Sequence, residues 1–135
     1  MNKTESTQYI KQMAHELGFL HCGIAKAEKL DEDARKLEKW LHHHMHGSMQ
    51  YMEQHFDKRI DPTLLVPGAK SVITLLMDYY PHKLQDSSTV KVSKYAYGKD
   101  YHEIIRLKLR QMLIKIKEKI GDVEGRGFVD SAPVM

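Results

Sequence analysis

The 135-residue chain has a single cysteine, Cys22, so no internal disulfide can form. A lone thiol suits a reducing compartment, and the cytoplasm is the simplest home. Nothing beside Cys22 would activate a thiolate, so it reads as a small buried side chain. No apolar run approaches the ~20 residues that span a bilayer, which argues against a membrane protein. The polar start Met1-Asn2-Lys3-Thr4-Glu5 leads straight into a helical pattern and does not look like a signal peptide. There is no internal repeat and no low-complexity tract. Nor does one sign of charge dominate. A net charge of +3 and a pI near 8.9 permit an anionic partner without requiring one. What remains is a chain 41% hydrophobic and 29% charged, long enough for one globular domain with a real core.

The apolar spacing yields the elements. Asn2 can cap a first helix, with Glu5 at the capping-box position. Ile10, Met13, Ala14 and Leu17 share its apolar face, and Gly18 stops it. Phe19 to Ala25 reads as a short strand. Asp31 starts a second helix, with Ala34, Leu37, Trp40 and Leu41 facing inward. It runs out in His42-His43-His44-Met45-His46 and Gly47. His42 and His46 stand four apart and could reach one metal ion. Histidines near a helix C-terminus also suit the macrodipole, and that reading is the stronger. Pro62 forces Asp61 into an extended conformation. Pro67-Gly68 turns the chain into Ser71 to Met77, whose near-continuous apolar run predicts a strand buried on both faces. His82 to Thr89 is a polar surface loop, with Gln85 to Ser88 as its expected mobile tip. The sum is an α+β domain, a mixed sheet with helices packed on it.

One stretch draws the most chemistry together. Lys94-Tyr95-Ala96-Tyr97-Gly98-Lys99-Asp100-Tyr101-His102 sets three tyrosines, a histidine, an aspartate and two lysines around a glycine. Buried phenols and imidazoles need partners, so such residues fit a plain core badly. They suit a surface that holds a large, flat, partly polar ligand. A plainer arrangement of strand, turn and helix cap, with Val90 and Val92 leading in, uses the same residues. In either case Gly98 can take φ > 0 and Asp100 can cap the next helix. That helix spans about Tyr101 to Ile120. Its stripe is Tyr101, Ile105, Leu109, Met112, Leu113, Ile116 and Ile120. Arg106, Lys108, Arg110, Lys115, Lys117 and Lys119 lie off it, as a solvated face more than as a phosphate reader. Phe128-Val129-Asp130-Ser131-Ala132-Pro133 then reads as a strand whose end exposes Asp130. The sequence stops two residues later, which implies a piece of a longer protein.

Four blocks carry a resemblance. They are Met49-Gln50-Tyr51-Met52; Arg59-Ile60-Asp61-Pro62 running on through Pro67-Gly68-Ala69-Lys70-Ser71-Val72-Ile73; Tyr95-Ala96-Tyr97-Gly98-Lys99-Asp100-Tyr101-His102; and Phe128-Val129-Asp130-Ser131-Ala132-Pro133-Val134. In this order they resemble the N-terminal domain of the epoxyqueuosine reductase family, cobalamin-dependent iron–sulfur enzymes of transfer-RNA modification. The resemblance implies that residues 1–135 are a cobalamin- and substrate-binding domain, with a nitroreductase-type architecture. It implies reduction of epoxyqueuosine to queuosine in tRNA, with electrons from a donor protein or reductant passing through two 4Fe–4S clusters to cobalamin. It makes Asp130 the proton donor, and Tyr97, Asp100, Tyr101, His102, Ser131 and Ala132 the cofactor-binding residues. Removing an epoxide oxygen as water needs acid delivered to that oxygen. Desolvation beside a bulky ring keeps a carboxyl neutral.

Two departures qualify the implication. One cysteine cannot supply the eight thiolates of two such clusters. The ferredoxin module and helical-repeat tail of the family are therefore expected elsewhere. Met135 stands where family members run on into a glutamate-containing segment bordering the pocket, so the piece alone should not turn over. Rival readings are a reductive dehalogenase relative, a corrinoid carrier without enzyme activity and a basic nucleic-acid-binding module. The lack of a twin-arginine signal speaks against the dehalogenase, and scattered basic residues against the last. The oligomeric state is open, with a monomer favoured.

Overall fold

A computed structural model describes residues 1–130 together with Ala132. The elements are α1 (Lys3–Glu16), β1 (His21–Lys26), α2 (Asp31–His42), α3 (Phe56–Ile60), α4 (Pro62–Leu65), β2 (Ser71–Leu76) and α5 (Tyr101–Ile120). Two 3-10 turns add Gln50–Met52 and Lys94–Ala96. The chain divides into two compact units. The first is Met1–Gly23 with Ile73–Val129, and the second is Ile24–Val72 with the residues from Asp130 on.

In the first unit, α1 begins as the sequence predicts. The Asn2 side chain accepts from the Glu5 N–H, and the Glu5 carboxylate accepts from the Asn2 N–H. Gly18 follows the last turn with φ 88°, a left-handed conformation that glycine adopts without strain. The apolar face of α1 packs on α5. Met13 and Ala14 from α1, Phe19, Cys22, and Met112 and Ile116 from α5 are buried. Each large side chain buried here contributes roughly 1.5–3 kcal/mol. Lys108 is a correction to the solvated face, because it is half-buried. Its Nζ donates to the Leu17 carbonyl at the end of α1 and lies 6.0 Å from the centre of the Phe19 ring.

In the second unit, α2 packs on α3, and α3 on α4. Asp61 separates the last two with an extended backbone, φ −139°, as its following proline requires. Its side chain caps α4 through the Thr63 N–H and hydroxyl at 2.9 and 2.6 Å. These bonds, the Thr63 hydroxyl first, hold the Asp61 carboxyl below its ordinary range. Leu37 and Ile60 are the buried apolar anchors of these helices, and Ala27 adds a third after β1.

The α+β class holds. The mixed sheet does not appear among the described residues, where β1 and β2 form a two-stranded sheet. It is antiparallel: the Leu20 N–H donates to Leu76 and the Ala27 N–H to Lys70. Nor is β2 buried on both faces, since none of its residues is fully buried and Leu76 is 59% exposed. An apolar run records a preference for burial, whereas burial itself needs layers on both sides, and a strand pair supplies few. Val90 and Val92 extend no strand, and Val90 is 89% exposed. Phe128 and Val129 are likewise irregular, with Val129 buried and Asp130 exposed in a turn.

Candidate functional site

The predicted ligand stretch folds as a 3-10 turn, a glycine bend and the start of α5. Gly98 has φ 72°, the left-handed value expected of it. Asp100 then caps α5: its Oδ1 accepts from the His102 N–H at 2.9 Å. The same oxygen accepts from His102 Nδ1 at 2.7 Å. The backbone bond first, and the side-chain bond second, hold the Asp100 carboxyl below its usual range. One aspartate thus starts the helix and orients an imidazole.

That imidazole stacks on the neighbouring phenol. The Tyr101 and His102 rings lie 4.1 Å apart with 25° between their planes. Tyr95 meets Tyr101 edge-on at 6.2 Å, and Tyr79 meets Tyr95 edge-on at 6.5 Å. The result is an aromatic ladder. Its outer rungs Tyr79 and Tyr95 are more than half exposed, while Tyr101 and His102 are half-buried.

Tyr97 departs from this group. Its hydroxyl donates to Gln85 Oε1 at 2.8 Å and accepts from the Gln85 N–H at 3.4 Å. Gln85 also donates to the Val90 carbonyl at 2.6 Å and accepts from the Val92 N–H at 2.9 Å. The residue expected at a mobile tip is thus the hub of its loop. Around it lies a concavity of about 860 Å³, lined in part by Lys83, Gln85, Val90, Val92, Tyr97 and Gly98. Asp100, Tyr101 and His102 are not in its lining. Sequence spacing put four ligand residues in one place, and the structure divides them between the ladder and this concavity.

Asp130 and Ala132 fall in the second unit. Asp130 is exposed and Ala132 partly so. Ser131, predicted beside them, lies outside the described residues. The residues of this region that sequence spacing did not single out are Tyr79, Tyr80 and Gln85. Their signal was faint: a Tyr-Tyr-Pro strand end and a polar loop.

The histidine cluster needs correction. Helix α2 ends at His42, and His44 has φ 52°, so His42 and His46 do not share a helical face. His42, His43 and His44 are exposed, but His46 is 3% exposed. Its Nε2 lies 2.7 Å from Glu53 Oε1, its ring is 5.6 Å from Trp40, and its Nδ1 is buried with no hydrogen-bond partner among the described residues. His46 is a core residue of its turn and not a helix-end charge. Among the described residues no group of three or more His, Cys, Asp or Glu side chains could hold a metal ion. Burial pushes the Cys22 thiol up, against thiolate chemistry. Among the described residues no helix is long and apolar enough to cross a membrane.

Against known families, the model described as "Epoxyqueuosine reductase QueG, DUF1730" matches residues 59–131, more than half of the chain. The chain belongs to the epoxyqueuosine reductase family. It is 58% identical over 133 residues to an epoxyqueuosine reductase of Cellulophaga algicola, covering 98% of this chain and 44% of that protein. The family member of Escherichia coli is 37% identical over 141 residues, covering 100% of this chain and 37% of its own length. The chain thus spans about two fifths of the length of these curated relatives. The fold is that of solved family members. A crystal structure of an epoxyqueuosine reductase with an epoxyqueuosine-modified tRNA-Tyr stem loop superposes with a TM-score of 0.85 at 23% identity, over 99% of this chain and 36% of that one. The enzyme from Streptococcus thermophilus superposes with a TM-score of 0.81 at 24% identity, over 95% of this chain and 35% of that one.

Proposed function

We propose that this chain is the N-terminal, cofactor- and substrate-binding part of a cytoplasmic epoxyqueuosine reductase, an oxidoreductase that converts epoxyqueuosine to queuosine in tRNA. The observation that carries this is the 58% identity, across nearly the whole chain, to a protein of that name. The solved family member with a modified tRNA stem loop supports tRNA as partner. A donor protein or small reductant supplies electrons, and the protein acts as a monomer.

The family implies two cofactors, and the residues of this chain suit one of them. The half-buried Tyr97, Tyr101 and His102 combine ring surface with polar groups, which suits a corrin, large, flat and fringed with amides. Asp100, Tyr101 and His102 would border it on one side, and Tyr97 from the adjoining loop. Ser131 and Ala132 are the further residues proposed to bind it. A nitroreductase-type architecture is part of this proposal. When bound, cobalamin supplies a strongly reducing cobalt. The 4Fe–4S clusters do not fit this chain, because Cys22 is buried and alone. Eight thiolates belong to other parts of the protein.

The work of this chain is then to bind, orient and protonate. Asp130 delivers one proton to the departing epoxide oxygen; with a second proton from solvent and the two electrons that the donor supplies, both C–O bonds break and the oxygen leaves as water. Exposure of Asp130 in a turn is compatible with a substrate that arrives from outside. Asp100 keeps His102 in one tautomer and one orientation. The test is Asp130→Asn in the full-length protein, with queuosine in digested tRNA read by mass spectrometry. Asparagine keeps the shape and can still accept a hydrogen bond. We expect near-normal folding and cobalamin content with turnover at least ~100-fold lower. Turnover equal to wild type would remove Asp130 from the chemistry.

A further inference from the structure

We propose that Tyr79, Tyr80 and Tyr95, with Lys94 between them, form a stacking platform for unpaired RNA bases. This rests on the epoxyqueuosine reductase reading and adds to it the place where the nucleic acid outside the reacting base is held.

Three observations converge on these residues. The first is exposure. Tyr79, Tyr80 and Tyr95 are 63%, 59% and 54% exposed in this chain, a cluster of aromatic surface suited to a partner. The second is orientation. Tyr79 and Tyr95 meet at 86° and Tyr95 and Tyr101 at 84°, so no ring in this series lies flat against the next. Tyr79 and Tyr95 are therefore not stacked on each other, and a base can stack on any ring face left uncovered. The third is charge. Between Tyr79 and Lys99 the sequence has four lysines, at 83, 91, 94 and 99, against one carboxylate, Asp86. Asp86 is engaged by the Ser88 N–H and hydroxyl at 2.8 and 2.7 Å. Lys83, Lys91 and Lys99 make no ion pair among the described residues. The Lys94 ammonium sits 4.4 Å from the centre of the Tyr80 ring. Such an arrangement offers a cation for phosphate beside a ring for a base.

RNA suits this surface better than an apolar partner does. A hydrophobic protein patch would be diluted by the lysines at 83, 91, 94 and 99, whereas single-stranded nucleic acid uses both components. The ladder also runs inward, from Tyr79 through Tyr95 to the half-buried Tyr101 and His102. Bases held on the outer rungs would sit next to the pocket proposed for the cofactor.

The experiment uses the full-length protein and a fluorescein-labelled RNA stem-loop, with the same stem closed into a blunt duplex as control. Fluorescence anisotropy reads affinity across a salt series. Tyr80→Ala and Tyr79→Ala should each weaken stem-loop binding by about tenfold or more, the loss of one stacked base, with little change on the duplex. Tyr80→Phe keeps the ring and should bind as wild type. Lys94→Gln should lower the salt slope by about 0.7, the value for one phosphate contact on a single strand. Wild-type affinity in both alanine variants overturns the platform. So does an equal loss on stem-loop and duplex. Unchanged RNA affinity with slower reduction by a protein electron donor would assign the face to that protein and also overturn it. Turnover on modified tRNA separates the two levels. If the wild type turns over and the alanine variants match it in KM, only the platform fails. If the wild type does not turn over, the reductase reading fails.

Discussion

The loop after α5 offers a test in which the closer contact is the more forgiving one. A Cβ added at Gly125 would lie 2.6 Å from Leu113 Cδ2, and one added at Gly127 would lie 3.1 Å from both Leu109 Cβ and Leu109 Cδ1. Distance alone ranks Gly125→Ala as the worse change. The identity of the atoms reverses that order. Leu113 Cδ2 is the far end of a side chain and can move to another staggered rotamer. Leu109 Cβ is fixed to the backbone of α5, so Gly127 cannot gain a methyl unless the loop backs away from the helix. Overpacking of that kind costs roughly 1–3 kcal/mol. Both changes gain about 0.4–1 kcal/mol by stiffening the unfolded chain. Gly125→Ala should therefore come out within about 0.5 kcal/mol of wild type, and Gly127→Ala about 1–2 kcal/mol less stable. Urea unfolding followed by circular dichroism would show a midpoint lower by about 0.5–1 M for Gly127→Ala, with an unchanged slope. A larger loss at Gly125 than at Gly127 would refute the argument from atom mobility.

Met13→Ala should cost about 2–5 kcal/mol and Met13→Leu less than about 1.5, measured by the same unfolding, because Met13 is the largest fully buried side chain described. Replacing His42, His43 and His44 together with alanine should leave stability within about 0.5 kcal/mol, while His46→Ala should cost about 1–3 as it strips the buried partner from Glu53. Asp100 sets a pH dependence whose sign follows from its depressed carboxyl. Its contribution is complete above the ordinary carboxylate range and disappears as pH falls through the lowered value. Acid titration of helix content should therefore show a low-pH loss that Asp100→Asn flattens, and identical acid profiles would count against the cap.

Local chemistry made most of the fold legible. The Asn2–Glu5 box, the Asp61–Pro62 break, the Gly98 turn and the Asp100 cap are each decided within four residues, and each appears where the sequence places it. The full length of α5 follows for the same reason, from one uninterrupted stripe. The failures are nonlocal. Whether β2 is covered depends on layers that no window of its own residues can reveal. Gln85 looks like any polar loop residue until Tyr97, twelve residues on, closes over it. His46 shares a run with three exposed histidines, and only the fold of its turn buries one of the four. For the site, Asp100 and His102 were visible because capping brings them together. The rung at Tyr79 was not, because fifteen residues separate it from Tyr95.

The strand pair has a consequence for the order of folding. Leu20 and Ala27 at the two ends of β1 pair with Leu76 and Lys70, and residues 28–69 separate the inner pair. Closing a loop of that length is entropically expensive before any strand contact repays it. Helix formation needs no such closure and is complete in about a microsecond. In that interval α2, α3 and α4 can form and meet one another, and once packed they shorten the span that β1 and β2 must bridge. Pairing of the strands should thus come late, after the main barrier has been crossed. Substitutions in β1 and β2 would then act chiefly on the rate of unfolding, and substitutions at Leu37 and Ile60 on the rate of folding.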